Sequence, residues 1–322
     1  MSNLETYKAD LNLRYWQYQK TRFPDWENLF DRPQAQDLRP PVFKVSEAWR
    51  NVIIKPDAEQ HEKDRLLAMV PNHERHKWFR SMNSSQALAQ SVFGNLALYG
   101  YLDILSKLQD QDGCGLFDGA YLHAENFAME YKVDYLGEPR HTSIDCYFGG
   151  DYRIAIECKF TEAEVGTCSR PRLTRTDSNY EKDHCDGTYT RQKMRAERCS
   201  LTEIGVLYWR YVPKLFHWNG ERDIVPCPLY ANYQLVRNIV AICARPGETQ
   251  PSSDGHAVLV YDERNPAFQE GGKGHGTFET TRHALIEPKM LRKCSWQQIM
   301  GALRTKRELA WLTDELKAKY DL

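Results

Sequence analysis

Three polar residues in two neighbouring apolar segments carry the strongest chemical signal: Asp145 in "TSIDCYFGG", and Glu157 with Lys159 in "YRIAIECKF". Two carboxylates held close together resist joint ionisation unless a cation lies between them. Their hard oxygens suit Mg²⁺ or Mn²⁺, which keep several waters and bind phosphate directly. Such an ion polarises a phosphoryl oxygen and lowers the pKa of a bound water. Lys159 stands two residues beyond Glu157, on the same side of an extended chain. There it could orient that water or stabilise charge on a phosphorane-like transition state. The opposing interpretation is a solvated strand face carrying an ordinary ion pair.

The flanking pattern supplies the elements that would position these groups. "NSSQALAQSVFGNLALYGYLDILSKL" predicts a central helix, capped by Ser84 or Ser85 and open to a break near Gly100. Three alternating segments follow. "NFAMEYKVDYL" places Phe127, Met129, Tyr131, Val133 and Tyr135 on one face, and "TSIDCYFGG" does the same for Ile144, Cys146 and Phe148. In "YRIAIECKF" the apolar face is Ile154, Ile156, Cys158 and Phe160. The short connections "GEPRH" and "GGDY" make an antiparallel meander. "PLYANYQLVRNIVAICAR" then reads as a helix and "HAVLVYD" as a buried strand. The order helix, three strands, helix, strand is α/β with a mixed sheet.

An acid after an apolar residue, a hairpin, then Glu-x-Lys inside an apolar strand resembles the PD-(D/E)xK nuclease superfamily, the restriction-endonuclease-like fold. The resemblance covers roughly residues 84–262. It implies that Asp145 and Glu157 are metal ligands, with the Cys158 backbone carbonyl as a further one, and that Lys159 positions the water. It implies Mg²⁺ (or Mn²⁺) as cofactor and an endonuclease acting on DNA in restriction, defence or repair. The alternatives are a nuclease acting on RNA and a non-catalytic nucleic-acid-binding or assembly protein that keeps the fold. Ile144 stands where the motif often has proline. Many members carry a glutamate on the first helix, where this chain offers Gln86 and Gln90; Gln234 on the later helix is a further polar candidate.

Residues 163–226 form a long polar insertion in the nuclease core (84–262), between an N-terminal extension (1–83) and a helical C-terminal one (263–322), all expected to pack as one unit. Within the insertion "SRPRLTR" carries Arg170, Arg172 and Arg175 with no acid, a candidate phosphate-contacting flap. Helical potential lies near 189–199. Cys168, His184, Cys185 and Cys199 raise a structural zinc site, but they form no C-x2-C pair and their spacing fits buried thiols better. The cluster Tyr208, Trp209, Arg210 and Tyr211 fits a core or edge role better than base stacking. "GGKGHG" lacks the spacing of a phosphate loop and reads as a flexible loop.

Composition narrows the class. The 322 residues are 41% apolar and 12% aromatic, enough for a substantial core, and a net charge of −1 leaves nucleic-acid binding to local basic patches. No apolar run approaches the roughly 20 residues of a membrane span. The polar opening "MSNLETYKAD" argues against a secretory leader. Nine cysteines in a long chain point to reduced thiols and a cytoplasmic setting. The expected partners are DNA and a second copy of the chain as a homodimer, not a membrane.

Overall fold

A computed structural model describes residues 2–32, 39–139, 142–192, 194–218 and 225–322. Arg140 and His141 of the expected "GEPRH" turn and Lys193 of the expected 189–199 helix lie outside them. Five strands form one sheet in sequence order: β1 (Phe127–Val133), β2 (Thr142–Phe148), β3 (Arg153–Cys158), β4 (Gly255–Tyr261) and β5 (Leu291–Ser295). The first three pair antiparallel, as their short connections require; β4 and β5 run parallel to β3. The mixed sheet and its flanking helices are the α/β architecture expected from the sequence.

Both faces of the sheet are covered. One core joins Ile154, Ile156, Cys158 and Phe160 to helix α1 (Asn3–Arg22) and to the segment after Ser84, as well as to the C-terminal helices. The other joins Ala155, Ala257 and Leu259 to the helix that follows the insertion. Burial on both sides explains the nearly continuous apolar run of β4. Each fully buried Ile or Val here contributes roughly 1.5–3 kcal/mol. The face of β3 bearing Ala155, Glu157 and Lys159 is therefore no solvated surface: Glu157 is 2% and Lys159 9% exposed.

The expected alternation reverses partway along the hairpin. Phe127 and Met129 pack in the first core, whereas Tyr131, Val133 and Tyr135 pack in the second; Cys146 and Phe148 part from Ile144 in the same way. The reversal falls at Glu130 and Asp145, where Glu130 takes φ 48°. A left-handed residue inside a strand turns the side chains beyond it.

The central helix is interrupted. Ser84 caps α2 (Ser85–Ala89) by accepting the Ala87 N–H; a π-turn over Gln90–Gly94 follows, then α3 (Asn95–Tyr99). It stops at Gly100, whose φ of 76° favours glycine. Helix α4 (Tyr208–Leu215) buries Tyr208 and Tyr211, while Trp209 stacks on Tyr189 at 3.9 Å. Pro228 opens α5 (Pro228–Cys243), at the first turn where a missing N–H costs nothing.

Three expectations need correcting. The described residues of 189–199 are turns, and only Ser200–Glu203 is helical there. "GGKGHG" is no flexible loop, because α6 (Lys273–Ala284) begins inside it. A Cβ on Gly274 would come within 2.5 Å of the Phe268 ring, so the glycine permits close packing. The 263–322 region is not purely helical: before α7 (Trp296–Leu303) and α8 (Ala310–Tyr320) it supplies β5, whose Arg292 and Lys293 disguised a short edge strand. Among the described residues no helix is long and apolar enough to cross a membrane.

His256 on β4 gives this fold a pH dependence. It is 1% exposed, its Nδ1 lies 3.0 Å from the Tyr152 hydroxyl, and burial with nearby Arg292 lowers its pKa to about 3. An unfolded histidine titrates near 6.5, so the unfolded chain holds the extra proton between about 6.5 and 3. Stability from this group is complete above that window and is lost as pH falls through it. Urea unfolding of the wild type should weaken from pH 7 to pH 5 more steeply than that of His256→Phe. The difference should reach about 1.4 kcal/mol per pH unit below 6.5. Parallel slopes would show that this imidazole is not the acid-sensitive group.

Candidate active site

Strand register assembles the site. Met129 pairs with Cys146 and Tyr131 with Ile144, so Glu130 and Asp145 stand opposite each other. Cys146 pairs with Ile156, so the next position sets Asp145 against Glu157. Carboxylates from three successive strands therefore occupy one row. All three line a cavity of about 1080 Å³, together with Gln86, Cys158, Lys159, Gln234 and Arg237.

Each polar atom of the β3 pair is engaged. Lys159 Nζ lies 2.9 Å from Glu157 Oε1 and donates to Gln234 Oε1 at 3.1 Å. The Gln234 amide returns a bond to Glu157 Oε1 at 2.6 Å, closing a triangle. Asn238, one turn along α5, donates to Glu157 Oε2 at 2.9 Å, and Arg237 stands 4.0 Å from the same oxygen. The two amides reach one carboxylate because residues four apart share a helix face. Asp145 Oδ2 accepts the Cys158 N–H at 2.7 Å, tying β2 to β3 where their ladder ends.

The end of β3 is anchored beyond the site. Trp296, at the start of α7 and wholly buried, donates from Nε1 to the Lys159 carbonyl at 3.0 Å. The next carbonyl, Phe160, accepts from Tyr7 at 3.2 Å and Asn265 at 2.7 Å. Glu162 accepts the Phe160 N–H and the Ser85 hydroxyl, both at 2.6 Å.

Electrostatics show a centre with an excess of negative charge. Burial, then the charges of Glu157 and Glu130, pushes the Asp145 carboxyl well above the usual range. Burial also raises Glu130, against hydrogen bonds from Ser143 and Gln86 that favour its charged form. Burial alone would lower the Lys159 pKa, but Glu157, Glu162 and Asp145 outweigh it and raise it to about 12. Lys159 is an ammonium at neutral pH. The hard oxygens of Asp145 and Glu157 are of a type that suits a divalent cation; Glu157 is paired with Lys159, whereas among the described residues no ion pair joins Asp145.

The structure brings Asp145, Glu157, Cys158, Lys159, Gln86 and Gln234 together. Gln90 is elsewhere: it is wholly buried and donates to the Leu66 carbonyl, at the start of the π-turn that shifts the helix phase. Arg170, Arg172 and Arg175 are not in the cavity wall. Arg170 pairs with Asp183 at 2.8 Å, and the other two are exposed. Cys168 and Cys199 are buried, Cys185 is half-buried, and His184 packs on Tyr180. Among the described residues no three His, Cys, Asp or Glu side chains converge closely enough to hold an ion unaided. Sequence reasoning missed Glu130, Asn238 and Trp296; the Gln-x3-Asn spacing in "YQLVRN" was the available signal for Asn238.

No curated protein and no solved structure matches the chain. A family model does, over residues 10–321, nearly the whole length, and its description is Restriction Endonuclease associating with ARP. With the mixed sheet and the Asp…Glu-x-Lys row already in place, the chain belongs to this restriction-endonuclease family.

Proposed function

We propose that the chain is a divalent-metal-dependent endonuclease that hydrolyses DNA phosphodiester bonds. The observation that carries this reading is the buried Lys159 ammonium, bonded to Glu157 and Gln234 inside the cavity that also holds Asp145. A surface ion pair would not be enclosed in this way. The family description supports a nuclease and points to DNA as the substrate class.

Asp145 and Glu157 would hold the ion, with the Cys158 carbonyl as a further ligand. Bound Mg²⁺ or Mn²⁺ supplies Lewis acidity and a water of lowered pKa. Lys159 keeps its proton, so its role is to orient the attacking water and stabilise charge on the phosphoryl oxygens, not to abstract a proton. Gln234 and Asn238 hold Lys159 and Glu157 in place, which matters because small geometric errors cost large factors in rate. Arg172 and Arg175, exposed on the insertion, would contact flanking phosphates, while Arg170 anchors their loop to Asp183. All nine cysteines are free thiols, which fits a reducing, cytoplasmic setting.

Metal should stabilise this site measurably. Mn²⁺ at about a hundredfold over its Kd should add about 2.7 kcal/mol of unfolding free energy. A thermal-shift titration should show the gain in the wild type and little of it in Asp145→Asn. An equal gain in both would remove Asp145 from the metal site.

A further inference from the structure

We propose that Trp78 is a base-stacking residue of the active-site cavity, and that the preferred substrate is DNA with an unpaired nucleotide beside the cleaved bond. This inference rests on the reading of that cavity as a DNA-cleaving site. The N-terminal extension supplies part of the cavity wall through Arg39, Pro40, Val42, His76 and Trp78. Trp78 is 54% exposed, and among the described residues it is the only Trp, Tyr or Phe in that wall. Single exposed apolar residues are common on protein surfaces. A large indole left open within a polar catalytic cavity is a different matter, because its flat face matches the face of a nucleobase.

The turn that carries the indole is fixed on both sides of it. The Phe79 N–H donates to the His76 carbonyl at 2.8 Å, and the Ser81 N–H donates to the Trp78 carbonyl at 2.9 Å. Buried Asn51 donates to the carbonyls of Phe79 at 2.6 Å and Ser81 at 2.7 Å. Asn51 is held in turn by the buried Lys319 side chain, which donates to its backbone carbonyl at 2.6 Å and to its Oδ1 at 2.8 Å. On the other side, Gln86 accepts the His76 N–H at 2.9 Å. A pinned turn presents its aromatic plane with little ordering cost on binding. It also lies near the reacting centre, since the charges of Glu162 and Lys159 both act on the His76 imidazole. Lys77 Nζ, 5.7 Å from the Trp78 ring centroid, is a cation available to a neighbouring phosphate. Base faces are covered inside a duplex and open only when a base leaves the stack. An indole here therefore selects an unpaired nucleotide, whichever base it carries.

The alternative is that Trp78 is an ordinary surface residue, or one that lies against intact duplex. Anisotropy titrations in Ca²⁺ separate these, using fluorescein-labelled duplexes that are fully paired or carry one unpaired thymidine. The wild type should bind the duplex with the unpaired nucleotide about tenfold more tightly than the paired one. Trp78→Ala should lose that preference, binding the paired duplex as the wild type does and the other about tenfold more weakly than the wild type. Trp78→Leu, apolar but without an aromatic face, should behave like the alanine variant, and Trp78→Phe should keep most of the preference. All three should melt close to the wild type, because Asn51 and backbone bonds hold the turn. No preference in the wild type, the same preference in Trp78→Ala, or equal losses on both duplexes would overturn the proposal. If the wild type still cut DNA with Mg²⁺ in any of those cases, the nuclease reading would stand without Trp78. A wild type that neither bound nor cut either duplex would overturn both.

Discussion

Lys159→Ala is expected to lower the rate of DNA cleavage by about 10²–10³, the usual cost of removing one preorganised donor from a reacting centre. Metal binding should survive, and even tighten, because the variant removes a positive charge 2.9 Å from Glu157. The fold should weaken as well. Glu157 is 2% exposed, and breaking one side of a buried ion pair costs about 3–5 kcal/mol. Gln234 and Asn238 still donate to the carboxylate, so the lower end of that range applies. Mn²⁺ should therefore raise the melting temperature of Lys159→Ala more than that of the wild type. Single-turnover cleavage together with thermal shift reads all three effects. A variant that cuts at the wild-type rate would reduce the Glu-x-Lys pair to a structural contact.

Trp296→Ala should be the most damaging substitution outside the cavity. The indole is wholly buried, and replacing such a group with alanine costs about 3–5 kcal/mol. Its Nε1 also holds the Lys159 carbonyl, so the loss reaches the strand end that aims the lysine. Trp296→Phe isolates this second effect. It keeps most of the volume but leaves a buried carbonyl without its donor, a cost of about 1–3 kcal/mol. Urea denaturation should rank wild type, Phe variant and Ala variant in falling stability. The Phe variant should cleave more slowly than the wild type under conditions where both are fully folded. Unchanged cleavage in a folded Phe variant would separate the indole from positioning of the lysine.

What could be read from the sequence was local. Period-2 alternation and short turns determine the β1–β2–β3 meander, and those same segments carry Asp145, Glu157 and Lys159. The helix after the insertion was legible because its apolar stripe is long and its proline opens it. What escaped was non-local or broke the local rule. Glu130 looks solvated until the register sets it against Asp145, and its positive φ reverses the alternation a reader would extrapolate. β5 is five residues with two charges at a sheet edge, and only pairing with β4 makes it a strand. Gln86 and Gln90 are one helical turn apart and look equivalent in sequence. The π-turn that begins at Gln90 helps separate one that faces the site from one that braces Leu66.

The most direct test is cleavage of supercoiled and linear plasmid DNA by the purified full chain, with Mg²⁺, with Ca²⁺ and with chelator. Asp145→Asn and Glu157→Gln would be assayed alongside the wild type. The wild type should nick and linearise circular DNA with Mg²⁺, bind without cutting in Ca²⁺, and do neither chemical step in chelator. Each variant removes one ligand charge with almost no change in volume, and each should be inactive at the same metal concentration. Cutting by the wild type in chelator, or by Asp145→Asn at the wild-type rate with Mg²⁺, would contradict a metal site built on Asp145 and Glu157.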